Sequence, residues 1–172
     1  MPSGTLIPVT EYLTTSYRPD CEYIDGELQE RNLGEKDHAI IQRELSLLFR
    51  MNRATWGVEV FQELRMQISS SRFRVPDIAV VKSDVRFERW LKEPPLLIVE
   101  VLSPEDTLRK TRERVEDYLG FGVQHVWIID PARREAYRCT HTGFQQPEQA
   151  EIVVQGTPIR IALAELFAEL DR

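Results

Sequence analysis

The chain has 172 residues, two cysteines and a formal charge of −6. That length suits one hydrophobic core, so a single domain over residues 1–172 is expected. With 42% hydrophobic and 29% charged residues, neither a disordered nor a fibrous chain fits. The negative balance also argues against a general nucleic-acid coat, which needs a positive surface that releases counterions.

No apolar run approaches the ~18 residues of a membrane span, and Met1–Leu6 lacks a basic region followed by an apolar one. A cytoplasmic protein without membrane contact is therefore expected. Cys21 and Cys139 stand apart, with no CxxC and no neighbouring histidine, which reads as two reduced thiols rather than a disulfide or a zinc site. Charge is unevenly spread. Leu108–Arg114 carries four basic residues against one acid, whereas Glu22–Glu27 has three acids and no base.

In chain order, a weak helical signal near Val9–Leu13 precedes Tyr23–Leu28, where an Asp-Gly pair between short apolar runs predicts a tight hairpin. From Asp37 to about Ala54, Ile41, Leu45 and Leu48 recur at i, i+4 and i+7, which predicts a helix. Leu64, Met66 and Ile68 alternate with Arg65 and Gln67, and Phe73–Val81 follows as a second strand paired with the first. After a charged stretch ending in Pro94-Pro95, Leu96–Leu102 is almost wholly apolar and reads as a strand buried on both faces. Ser103-Pro104 offers a cap and first residue for a helix running to about Phe121, and Gln124–Ile129 returns as a strand. Glu135–Thr140, Ile152–Val154 and Ile159–Ile161 read as further strands, and Ala162–Leu170 as a final helix. The crossover from Leu96 to Ile129 is a βαβ unit, whereas the hairpins require antiparallel pairs, so the fold class is α/β with a central mixed sheet flanked by helices.

Glu100 is the most informative residue, because a carboxylate inside an apolar strand loses several kcal/mol of solvation (roughly) unless it is paired or bound to a metal. A salt bridge to Arg114 or Lys110 is an equally good reading from this strand alone. Asp77 follows Pro76 and precedes four apolar residues, so it too sits in an apolar setting, although a turn after Pro76 is its plainer use. Two such carboxylates brought together repel, and a hard cation, Mg²⁺ or Mn²⁺, resolves the conflict. Lys110, Arg114 and Tyr118 are spaced by four and share one helix face, placing a cation where it stabilises charge on a phosphate. The chain contains no GxSxG, GxxxxGK, GxGxxG or HxxxH, which removes the usual sequence grounds for several other enzyme classes.

Pro76-Asp77 and Glu100-Val101-Leu102 resemble the motif of the PD-(D/E)XK nuclease superfamily. Adding Glu22–Glu27, His38, Val75–Val80, Ile98–Pro104, Tyr118, Gly122-Val123 and Val126–Pro131, nearly the whole chain resembles the Uma-type family of restriction-endonuclease-like proteins. The resemblance implies a restriction-endonuclease-like fold, with Asp77 and Glu100 as metal ligands and Glu22 as an additional acid near the pocket; Glu22 and the Val101 carbonyl complete the expected metal site. His38 matches a recurrent family histidine without a settled role. Leu102 stands where many nucleases have lysine, and Arg114 stands where this family carries its lysine. Arginine stays protonated and cannot act as a general base, so Lys110, one turn earlier, is the substitute.

The resulting expectation is an endonuclease dependent on Mg²⁺ or Mn²⁺ that cleaves nucleic acid, with DNA preferred. Asp77, Glu100, Lys110 and Arg114 are its catalytic candidates. The competing expectation is a noncatalytic nuclease-like module that binds DNA or a protein partner. A homodimer is also expected, with Leu163, Leu166, Phe167 and Leu170 shared between copies.

Overall fold

The computed structural model describes residues 5–172; Met1–Gly4, part of the N-terminal segment read above, lie outside them. A short helix, α1 (Val9–Thr14), leads into the predicted hairpin of β1 (Cys21–Ile24) and β2 (Glu27–Glu30). Both turn residues have positive φ, 52° at Asp25 and 96° at Gly26, the backbone that a two-residue hairpin of this hand requires. Helix α2 (Lys36–Met51) and the short α3 (Arg53–Trp56) then precede β3 (Val58–Gln62), β4 (Met66–Ser69), β5 (Arg72–Arg74) and β6 (Ile78–Lys82). The remaining elements are β7 (Leu97–Val101), α4 (Leu108–Phe121), β8 (His125–Asp130), β9 (Glu135–Thr140), β10 (Gly143–Gln145), β11 (Glu151–Val153), β12 (Arg160–Ala162) and α5 (Leu163–Ala168).

Among the described residues the larger sheet has the order β10-β9-β8-β7-β6-β3, with β7 and β8 parallel and the other neighbours antiparallel. It is the mixed sheet that the crossover requires. A second sheet has the order β2-β1-β5-β4, and β11 pairs with β12.

Side-chain alternation divides the large sheet between two cores. Ile78, Val80, Leu97, Val99, Trp127 and Ile129 pack with Ile41, Leu45 and Phe49 of α2 and with α5. Ala79, Val81, Ile98, Val126 and Ile128 pack on the other face with Val115 and Tyr118 of α4. Each aliphatic side chain buried this way contributes about 1.5–3 kcal/mol relative to exposure, which fixes the strand register. Glu100 has the parity of Ile98 and therefore lies on the α4 side of β7.

Several boundaries differ from the sequence reading. Phe73–Val81 is not one strand: β5 belongs to the smaller sheet and β6 to the larger, with Val75-Pro76-Asp77 as the passage between them. Proline has no N–H for a ladder, so a break at Pro76 costs little pairing. Helix α4 begins at Leu108, not at Pro104. Ser103 N–H donates to Asp106 Oδ2 at 2.8 Å and closes a turn, leaving Thr107 as the cap that accepts from Lys110 N–H at 3.3 Å. Strand β3 was not anticipated; it pairs with β6 along its full length. The basis for a shared C-terminal surface also fails, because Leu163, Leu166 and Phe167 are buried in the chain's own core and Leu170 packs against it. No described helix is long and apolar enough to cross a membrane.

Candidate active site

The passage from one sheet to the other delivers the first acid. Ile78 pairs with Val99 across antiparallel β6 and β7, so the next step of that register sets Asp77 opposite Glu100. Both line one small cleft with Val101, Arg31, His38 and Arg114.

Asp77 is 5% exposed. Its Oδ1 accepts from Arg31 Nη2 at 2.9 Å, and its Oδ2 accepts from the Val101 N–H at 2.8 Å, with His38 Nε2 at 3.3 Å. His38 and Gln42 lie one turn apart on α2 and converge on this residue, since Gln42 Nε2 donates to the Asp77 carbonyl at 3.1 Å. Burial pushes the Asp77 carboxyl upward, but His38, Arg31 and the Val101 N–H together hold it below the usual range. In return the carboxylate raises His38 against its own burial, favouring the imidazolium. His38 Nδ1 is buried without a hydrogen-bond partner among the described residues.

Glu100 is 3% exposed and held from α4. Arg114 Nη1 donates to its Oε2 at 3.2 Å, and the Tyr118 hydroxyl, one helical turn later, donates to its Oε1. Burial is the main cause that drives this carboxyl up to about 8; Arg114 and Tyr118 oppose the rise, while Asp77 and Glu22 add to it. The salt bridge to Arg114, one of the two readings of Glu100, is thus present.

Glu22 stands behind the cleft rather than in its lining. Its Oε2 accepts from Arg74 Nη1 at 2.7 Å and its Oε1 from the Val75 N–H at 2.9 Å. Arg114 Nε lies 4.0 Å from Glu22 Oε2, so Arg114 stands between the two glutamates. Lys110 is exposed and outside the cleft lining. Of the two candidate cations, only Arg114 reaches the acids.

Sequence reasoning missed Arg31, Arg74 and Asp106. Arg31 lies in an irregular polar stretch after β2, where no periodicity indicates direction. Arg74 left a fainter signal: the basic Arg72-Phe73-Arg74 run complements the acid-rich first hairpin, and β1 and β5 are in fact neighbours.

No group of three or more His, Cys, Asp or Glu side chains is assembled as a metal cage among the described residues. The arrangement is a two-carboxylate site. That suits Mg²⁺, which retains several waters and is commonly bound through one or two carboxylates plus substrate phosphate.

A mixed sheet with helices on both faces and two acids at the ends of adjacent central strands defines a restriction-endonuclease-like α/β protein. A solved structure of a "putative nuclease belonging to DUF820" from Anabaena variabilis shares this fold, with a TM-score of 0.81, 23% identity, and coverage of 95% of this chain and 99% of that one. The profile of the Uma2 family, described as "Putative restriction endonuclease", matches residues 9–170, and the chain belongs to that family. A cryo-electron microscopy structure of a DrdV–DNA complex gives a TM-score of 0.42 at 16% identity, over 76% of this chain and 11% of that one. None of the curated proteins compared with the chain matches it.

Proposed function

We propose that this protein is a metal-dependent endonuclease that hydrolyses phosphodiester bonds in nucleic acid, with DNA as the preferred substrate. The observation that carries this reading is that Asp77, immediately before β6, and Glu100, in the neighbouring β7, line one cleft. Two buried carboxylates facing one space repel, and each raises the cost of ionising the other. Asp77 and Glu100 would hold Mg²⁺ or Mn²⁺, with the Val101 carbonyl as a further candidate ligand. When bound, such a cation supplies Lewis acidity for water activation and for charge at the scissile phosphate.

The chain's own groups account for the rest. Arg114 stays protonated and stabilises negative charge on the phosphate or leaving group, acting as an electrostatic group and not as a base. Tyr118 and Arg114 orient Glu100 from one face of α4, while the Val101 N–H and His38 orient Asp77. Glu22 acts through Arg114 and Arg74 as a positioning residue.

A second reading, a noncatalytic nuclease-like module that binds DNA or a protein partner, draws on the full engagement of both acids by Arg31, His38, Arg114 and Tyr118. Incubation of DNA and RNA with Mn²⁺ and wild-type or Asp77→Asn protein separates the two. Metal-dependent cleavage lost in Asp77→Asn is the expected result. Cleavage undiminished in that variant overturns the assignment, and metal bound without cleavage favours the noncatalytic module.

A further inference from the structure

The segment that follows β2 lines one side of the acid cleft. Arg31 reaches in, donating to Asp77 Oδ1 at 2.9 Å and lying 3.5 Å from Glu63, with its side chain only 17% exposed. Its neighbour Asn32 donates through Nδ2 to Asp106 Oδ1 at 3.1 Å, tying the segment to the turn before α4. The next residue, Leu33, is 75% exposed, so the segment has little apolar anchorage of its own at that point. These polar ties span the cleft from the β2 side to the α4 side.

The cleft is partly open to solvent, and the free space in its interior is about 20 Å³, room for about one water molecule. With Arg31 seated on Asp77, that interior has no room for a cation together with its waters, so the Mg²⁺ that the two carboxylates suit requires Arg31 to withdraw. Arg31 also already supplies a positive charge to the oxygen a cation would use.

We infer that residues 31–33 form an autoinhibitory latch, in which Arg31 is an internal counter-ion that competes with a divalent cation for Asp77. This rests on the metal-dependent reading above. Opening requires loss of the Arg31–Asp77 and Asn32–Asp106 contacts together, and it frees Asp77 Oδ1. The released guanidinium is then placed at the cleft mouth, where a nucleic-acid phosphate would enter. Because the open fraction scales apparent affinity, a latch that is open about a tenth of the time weakens metal binding about tenfold.

The test is Mn²⁺ binding to the full chain, measured by electron paramagnetic resonance and calorimetry for wild type, Arg31→Ala, Asn32→Ala and Asp77→Asn. Arg31→Ala is expected to bind Mn²⁺ about tenfold more tightly than wild type, and Asn32→Ala to shift in the same direction. Amide exchange over residues 30–36 is expected to speed up on Mn²⁺ saturation of the wild type. If Arg31→Ala loses its fold by circular dichroism, Asn32→Ala decides: tighter binding supports the latch and unchanged binding overturns it. Equal or weaker binding by a folded Arg31→Ala, with Asp77→Asn still abolishing it, overturns the latch and leaves the metal site standing. Absence of Asp77-dependent Mn²⁺ binding in wild type and both latch variants overturns both.

Discussion

Arg114 Nη1 lies 3.2 Å from Glu100 Oε2, so a cation carried on a helix is set against an acid buried in the central sheet. The pairing also identifies which helix cation faces the acid cleft, since Lys110 is exposed and outside its lining.

Arg114→Lys preserves the positive charge while losing the planar fork, and Arg114→Ala removes the charge. Under the proposed mechanism, Mn²⁺-dependent cleavage by Arg114→Lys stays within about tenfold of wild type. Arg114→Ala falls by about 10²–10³, the cost of deleting one electrostatic stabiliser of a transition state. Single-turnover cleavage of a labelled duplex reads both, and equal activity of Arg114→Ala and wild type removes Arg114 from the chemistry.

Arg74 is a stability prediction. At 2% exposed it joins Glu22 of β1 to Asp117 of α4, with both contacts at 2.7 Å. Arg74→Ala leaves the buried Glu22 without its closest cation, a change that costs about 3–5 kcal/mol when one partner of a buried pair is deleted. Urea denaturation of the two proteins gives the difference directly. A loss below about 1 kcal/mol, the ceiling typical of exposed pairs, shows that solvent replaces the contact.

The pH dependence of stability follows from Glu100. Burial pushes its folded carboxyl up to about 8 from an ordinary value of 4.5. Between those values the folded chain binds more protons than the unfolded one, so this contribution is complete below the unfolded value and is lost as pH rises through the folded one. Glu100→Gln keeps a neutral side chain throughout. Melting temperatures from pH 5 to 9 should therefore agree closely at the acid end, with wild type falling further than Glu100→Gln toward pH 9. Parallel curves refute the raised carboxyl.

The thiols should be unreactive in the folded chain. Cys139 is 3% exposed, and burial pushes its thiol up to about 12. Burial also raises Cys21, which is 4% exposed. Iodoacetamide at pH 8 is expected to label neither thiol without denaturant and both with it, as mass spectrometry would show; rapid labelling of native Cys139 contradicts its burial.

The central elements were legible because they bury repeating patterns. The run Leu96–Leu102 contains β7, the spacing of Ile41, Leu45 and Leu48 marks α2, and Asp25-Gly26 sits at its hairpin turn. The motif acids also emerged, since charge in an apolar run demands a partner. The Glu100–Arg114 pair was legible too, but the longer-range ion pair was not: Arg31 and Asp77 are 46 residues apart, and no local period encodes their contact. The break at Pro76 was masked because the residues on both sides favour extended backbone, so a change of sheet looked like continuation.

That change of sheet gives the acid pair an unusual mechanical setting. Val75–Asp77 is a three-residue tether whose upstream end is fixed by β5 and whose downstream end is fixed by β6. Asp77 inherits its place from both anchors, whereas Glu100 belongs to β7 alone. A tilt of one sheet against the other would load this tether, at whose downstream end Asp77 is tied to β7 through the Val101 N–H. Edits to the first hairpin, remote in sequence from Asp77, would reach the cleft by this route, since β1 pairs with β5.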